Sequence, residues 1–346
     1  MNNIFSKFKK KLNILVIGSD GMLGHDVYEY YTKLSQLKDT NIGKVFGIDR
    51  TEGQPMIAGV QIYDFMKRSV HFDICINCAA YTDTKGAEEP YVDNFRESKK
   101  RLSYELNAEL PYWLALSCKQ HKTKLIHIST DYVFSECNCC CNDIDFPIPK
   151  NVYGEHKYIG ELHIKNVFGE KSKDYAILRT SWLYGMHNSK SFVHKFLLNT
   201  FRCINEGKED QIEMTSNERS VPTSVWFLVQ CINYVINNGE HGVMHAVPTA
   251  GSLINDEVTR LQFAKCILKY LNVEIADICP KRGGDTRRST DIEVKPVERH
   301  TYAPTASSME TSFGDAVFCK YWEEDLSNFI AKNRFKLLKW LKAQFN

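Results

Sequence analysis

The chain has 346 residues, 43% of them hydrophobic, enough to fill a substantial core in one large domain or two modest ones. Its 44 basic and 42 acidic side chains leave a formal net charge of +2, which excludes a broad electrostatic footprint for nucleic acid or an anionic membrane surface. No apolar run approaches the roughly 20 residues that a membrane span requires, so no membrane partner is expected.

Residues 1–11 form a basic tail with four lysines around Ile4, Phe5 and Phe8. No apolar stretch of secretory length follows, and a cytoplasmic location is expected. Of twelve cysteines, Cys75, Cys78 and Cys118 sit inside apolar runs and read as reduced core residues.

Asn13 to Gly18 (NILVIG) is a run of β-formers ending in glycine, and Lys44 to Asp49, Asp73 to Cys78 and Leu125 to Ser129 repeat that form. Such continuous apolar strands suit a parallel sheet covered on both faces. Helical spacing fills the gaps, from Leu23 to Leu37 and from Arg101 to His121, where Pro111 predicts a kink or a fresh start. Ala176 to Trp182 is a further strand-like run. The expected fold is α/β: a Rossmann-type doubly wound parallel sheet over residues 12–180.

A smaller C-terminal substrate-binding region is expected over 181–346, with helices near Thr259 to Leu271 and Leu326 to Leu341. Residues 281–308 are polar, with two glycines, two prolines and clustered arginines, and read as a long loop. No internal repeat is visible.

The segment GSDGMLG, with Gly18, Asp20, Gly21, Met22, Leu23 and Gly24, lies directly between the first strand and the first helix. There the glycines let the chain turn tightly, and the helix N-terminus offers N–H groups and partial positive charge to a pyrophosphate. The GxxGxxG spacing matches the extended short-chain dehydrogenases. Asp49 ends the second strand, where its carboxylate can bond a ribose 2′-OH and would repel a 2′-phosphate, which favours NADH. Arg50 follows and could clasp the 2′-phosphate of NADPH, so both cofactors stay open.

Tyr153 and Lys157 stand four residues apart in NVYGEHKYIGE, on one face of a predicted helix. A carbonyl that accepts hydride needs a proton, and the lysine is expected to lower the phenol's pKa so that Tyr153 can supply it. Tyr63 with Lys67, and Tyr81 with Lys85, share the spacing. Only the Tyr153 pair follows a strand end carrying a hydroxyl, Thr130, which can share the keto oxygen. Ser129 is the fallback hydroxyl.

Five ordered runs, GSDGMLG, INCAAYTDTKGAEEP, KLIHISTDYVF, NVYGEHKYIGE and ILRTSWLYG, make the chain resemble the dTDP-4-dehydrorhamnose reductases. The resemblance is strong over 12–185, weaker through Arg219 to Ser224 and the helix near Phe263, and slight beyond Lys281. It implies that Ala79, Ala80 and Tyr81 line the cofactor and that Thr130, Tyr153 and Lys157 form the catalytic triad. It further implies that Lys157 holds the nicotinamide ribose and Trp182 contacts the sugar, with Arg179 and Asn107 ordering the site. The implied reaction is hydride delivery from NADH or NADPH to the 4-keto group of a nucleoside-diphosphate 4-keto-6-deoxyhexose, carried on dTDP or UDP. A homodimer is the candidate assembly.

Cys137, Cys139, Cys140 and Cys141 depart from the acidic, glycine-containing loop usual there, and they lack the paired spacing of zinc sites, so no metal is expected. Arg282, Arg287 and Arg288 are candidates to clamp a diphosphate, with a solvated loop as the alternative. Two other functions share these motifs. One is the regulatory β subunit of methionine adenosyltransferase, which acts as a binding partner and is expected to depart at the sugar-contacting tryptophan. The other is a bifunctional 3,5-epimerase/4-reductase on UDP-sugars, which tends to have a cysteine where this chain has Tyr132.

Overall fold

A computed structural model gives the fold and describes residues 10–49, 59–90, 98–134, 146–249, 258–298, 307, 309–313 and 321–345. The first half alternates as its pattern demands: β1 (Leu12–Ile17), α1 (Met22–Ser35), β2 (Ile42–Ile48), α2 (Gly59–Arg68) and β3 (Ile74–Asn77). Next come α3 (Thr84–Glu88), α4 (Lys99–Tyr104), α5 (Leu110–His121), β4 (Lys124–Thr130), α6 (Val152–Phe168) and β5 (Tyr175–Thr180). The second half holds β6 (Leu183–Tyr184), α7 (Phe192–Glu206), β7 (Glu213–Thr215), β8 (Arg219–Ser220), β9 (Thr223–Ser224) and α8 (Val225–Asn238). It ends with β10 (Gly242–His245), β11 (Val258–Thr259), α9 (Arg260–Leu271), β12 (Lys295–Val297) and α10 (Trp322–Lys342).

Six strands form one parallel sheet in the order β10-β5-β4-β3-β1-β2. Alternation along β1 sends Ile14 and Val16 into a core with Leu23, Val27 and Tyr31 of α1 and Leu228 and Ile232 of α8. Leu15 and Ile17 face the other way, into a core with Ile62 and Met66 of α2, Leu114 of α5 and Ile164 of α6. The sheet is therefore apolar on both faces, which is why its strands read as continuous runs. The order reverses at β1 and β3, so the loops leaving those strands flank the crevice where α/β sheets take ligands.

The sheet does not stop at residue 180. Its edge strand β10 and the covering helix α8 both come from beyond residue 181. A third core, with Leu197 and Phe201 of α7, Phe263 and Ile267 of α9, and Phe329 of α10, builds the region beside the strand ends.

Pro111 starts no separate helix, because the backbone stays helical from α4 into α5. One turn of π-helix, Glu105–Glu109, joins α4 to α5 just before the proline, a local irregularity that accommodates its missing N–H. Residues 281–298 are not a loose loop: β12 pairs with β7, and buried Ser289 donates to the Leu268 carbonyl at 2.9 Å. Residues 299–306 and 308 lie outside the described residues, as do Arg50, the Cys137 to Cys141 run and residues 1–9 of the basic tail. Seven cysteines among the described residues are free, Cys75 and Cys118 fully buried. No helix among the described residues is long and apolar enough to cross a membrane.

Candidate active site

The glycine loop closes between β1 and β3. Gly18 has φ +81°, and a side chain there would meet the Ala79 backbone nitrogen at 2.8 Å. A Cβ on Gly24 would sit 1.9 Å from the Gly18 carbonyl oxygen. Gly21 is the N-cap of α1, with no side chain to bond the first-turn amides and no acidic residue in that turn. This helix start can take an anion. Leu23 is buried in the core and can offer only backbone to a ligand, while Met22 is half-buried against the same core.

Asp20 is held on both sides. Its N–H donates to the Asp49 carboxylate, and its carbonyl accepts from His187 at 3.1 Å and Asn188 at 2.7 Å. Beside it, Asn107 on the π turn clamps Tyr81 by accepting from its N–H at 3.1 Å and donating to its carbonyl at 2.9 Å. Ala79 is buried and Ala80 half-buried at the same strand end. We predict that Gly24→Ala, which cannot fit without moving backbone, lowers unfolding free energy by about 3 kcal/mol and weakens dinucleotide binding. Denaturant melts and calorimetric titration read both.

Thr130 ends β4, and the start of α6 brings Tyr153 to it. Asn151 caps that helix by accepting from Gly154 N–H at 2.7 Å. A Cβ on Gly154 would lie 2.1 Å from the Tyr132 carbonyl oxygen, so only glycine lets α6 approach β4 this closely. The Tyr132 and Tyr153 rings meet edge to face at 5.5 Å. The Thr130 hydroxyl donates to Asp131 at 3.1 Å, and the other oxygen of that carboxylate accepts from Ser220 at 2.8 Å and Ser307 at 2.6 Å.

The expected lowering of the phenol is absent. Burial pushes Tyr153 up to about 12, the neighbouring Thr130 hydroxyl opposes the rise, and the Asp131 charge adds to it. Lys157 is turned elsewhere: its Nζ donates to the Ile128 carbonyl at 2.6 Å and lies 3.3 Å from His127 Nε2. Burial pulls Lys157 down to about 8 against the attraction of Glu161 and Cys78.

Ser129 faces the opposite side of β4 from Thr130 and donates to Glu161 at 2.6 Å, so the fallback hydroxyl is already bound. Glu161 also accepts two bonds from the buried Arg179, at 3.0 and 2.7 Å. Burial raises the Glu161 pKa, but that guanidinium and the two donors outweigh it and hold the carboxyl below its ordinary range. Tyr63 and Lys67 share α2, where Gln120 bonds Tyr63, and Tyr81 precedes α3, which carries Lys85.

Trp182 is half-buried with φ +38°, and the Arg260 guanidinium lies 3.7 Å over its ring. Arg260 gave no sign in the sequence, since its partners Trp182 and Glu218 are remote in the chain. The arginines of the late segment are committed. Arg282 and Arg287 pair with Glu209 and Asp285, and Arg288 with Asn272 and Glu274. No cluster of metal-ligating side chains occurs among the described residues.

Residues 12–335 match the family model described as the RmlD substrate binding domain. The chain belongs to this family. The match runs well past Lys281, so the family resemblance extends through the C-terminal region as well. Among its relatives, a dTDP-4-dehydrorhamnose reductase of Mycobacterium tuberculosis is 27% identical over 279 residues, 75% of this chain and 77% of that one. A probable low-salt glycan biosynthesis reductase of Haloferax volcanii is 25% identical over 86% of this chain and 89% of its own. A solved dTDP-4-dehydrorhamnose reductase from Bacillus anthracis, in complex with NADP, superimposes with TM-score 0.69 at 24% identity, covering 93% of this chain and 99% of that one. The fold is thus the Rossmann type of that family.

Proposed function

We propose that this chain is an NADH- or NADPH-dependent oxidoreductase that reduces the 4-keto group of a dTDP- or UDP-linked 4-keto-6-deoxyhexose to the corresponding L-rhamnose. The observation that carries this is the placement of Thr130 and Tyr153 at the end of β4, on the same sheet edge as the glycine loop that follows β1. Relatives named for 4-keto reduction of dTDP-sugars support the substrate class.

The residues present fit a dinucleotide. An uncapped helix start, a loop too tight for any side chain at Gly24 and a carboxylate fixed at the end of β2 are the features such a ligand needs. Gly18, Asp20, Gly21, Met22, Leu23 and Gly24 would hold the pyrophosphate side, Asp49 the adenosine ribose, and Ala79, Ala80, Tyr81 and Lys157 the nicotinamide side. When bound, the reduced cofactor supplies the hydride.

The chain's own groups then manage the oxygen. Thr130, its hydroxyl turned from Asp131, holds the keto oxygen, and Tyr153 gives it the phenolic proton as negative charge develops there. A phenol raised to about 12 keeps that proton at every working pH until the oxygen takes it. Lys157 stands ready to restore it, and Trp182 forms a wall for the sugar. With Lys157 near 8, the rate of reduction falls as pH rises through that value. A pH–rate profile flat from neutral to alkaline pH would separate Lys157 from the proton supply.

Cofactor carrying deuterium at the transferable position tests the proposal. Incubated with the nucleotide 4-keto-sugar, it should leave deuterium on the sugar carbon that bore the ketone. A requirement for added 3,5-epimerase distinguishes one activity from two, and binding without label transfer would favour a regulatory subunit.

A further inference from the structure

Behind Lys157 lies a buried polar chain that the proposed reaction does not use. His127 stands in the middle of β4, fully buried, between Lys157 Nζ at 3.3 Å from its Nε2 and Asn77 Nδ2 at 3.0 Å from its Nδ1. Asn77, also fully buried, accepts the Ala79 N–H at 3.1 Å through Oδ1.

Donor and acceptor matching fixes the protons. The Ala79 N–H commits the oxygen of the Asn77 amide, so the amide nitrogen faces His127 and must donate to Nδ1. A neutral imidazole that accepts at Nδ1 carries its proton on Nε2. That N–H points at Lys157 and finds an acceptor only if the lysine is an uncharged amine with a free lone pair. Each contact in the chain then joins a donor to an acceptor, Lys157 giving an N–H to the Ile128 carbonyl.

We propose that His127, locked in one tautomer by Asn77, is a positioning residue that favours the neutral form of Lys157 and ties the lysine's proton to the backbone at Ala79. Protonating Lys157 removes the lone pair. Nε2 must then become an acceptor with its proton moved to Nδ1, where it meets the Asn77 amide N–H. Relief requires the amide to turn over, which breaks the bond to Ala79, a residue placed above at the cofactor side. Proton uptake by the lysine is therefore coupled to a change at that strand end.

The groups facing Lys157 come from three elements. Glu161 lies on α6 itself, His127 and the Ile128 carbonyl on β4, and Cys78 just past β3, with Arg179 of β5 already bound to Glu161. The depressed lysine pKa, near 8, and a His127 held neutral chiefly by burial agree with this arrangement. Its use in catalysis rests on the proposed role of Lys157, but the protonation states do not.

The test uses the full-length protein with isotopically labelled histidine and lysine, without substrate or cofactor. At a pH above the Lys157 titration, long-range proton–nitrogen correlations should place the His127 proton on Nε2, and a proton on Nδ1 there would overturn the proposal. Asn77→Asp keeps the acceptor for Ala79 and offers a second oxygen to Nδ1–H, which reverses the tautomer. It should raise the Lys157 titration by at least about one pH unit, tenfold in proton affinity. The added charge alone could raise it too, so the same change is made in a His127→Phe background. Transmission through the imidazole predicts that most of the shift is lost there, and an equal shift in both backgrounds would sink the mechanism.

Discussion

Tyr153→Phe should lower the rate of reduction by about 10²- to 10⁴-fold while leaving cofactor affinity and thermal stability close to wild type. The substitution removes one hydroxyl and keeps the ring, so the edge-to-face contact with Tyr132 survives. It also removes the only group proposed to transfer a proton to the oxygen, because Thr130 holds that oxygen by a hydrogen bond and keeps its own proton. Steady-state kinetics beside cofactor titration separate the two effects. A variant that turns over like wild type would take Tyr153 out of the chemistry, and one that fails to bind cofactor would make its role architectural.

The second large effect is on stability. Arg179→Met leaves the Glu161 carboxylate buried with Ser129 as its one remaining hydrogen-bond donor among the described residues, and breaking a buried ion pair costs about 3–5 kcal/mol. The sign of the pH dependence follows from the partners. In the wild type the Glu161 pKa is depressed, so its contribution is present above the ordinary carboxylate range and lost as pH falls through the lowered value. In the variant burial acts unopposed by the guanidinium, the pKa rises, and protonation on acidification relieves the damage. Denaturant melts should show the gap between the proteins widest near neutral pH and narrowing in acid. The double variant with Glu161→Gln should recover part of the loss, and equal destabilisation with and without the carboxylate would rule out the charge as its cause.

These two residues differ in how they could be read from sequence. Tyr153, Lys157 and Thr130 were legible because local rules act on them: a four-residue helical spacing and a hydroxyl at the end of an apolar strand. The sheet strands were legible for a similar reason, since burial on both faces leaves continuous hydrophobic runs in β1, β3 and β4.

Remote partners were not legible. Asp131 is satisfied by Ser220 and Ser307, which lie 89 and 176 residues away, and nothing near STDYVF announces them. Strand β10 was missed because it reaches β5 only after the chain has built β6 through α8, so adjacency in space and in sequence part company. The direction at Tyr153 was misjudged for a physical reason. Helical spacing puts Lys157 on the same face, but the Ile128 carbonyl and His127 draw its Nζ away, and burial then dominates the phenol. His127 itself carried a signal, a lone polar residue amid the apolar KLIHI run, that pointed to a buried partner.

The late arginines show the reverse error. Clustered positive charge resembled a phosphate clamp, yet Glu209, Asp285 and Glu274 already neutralise it. A charge cluster reports ligand binding only when its counter-charges are counted, and here two of them lie within a few residues of it or of α9.

The most direct measurement of the central claim is oxidation of NADH or NADPH by the purified protein, followed by the loss of the reduced nicotinamide's absorbance with a dTDP- or UDP-linked 4-keto-6-deoxyhexose. The account predicts oxidation that requires the keto-sugar, saturates with it and disappears in Tyr153→Phe. Folded protein that binds cofactor yet oxidises none with either nucleotide sugar, with or without 3,5-epimerase, would contradict it.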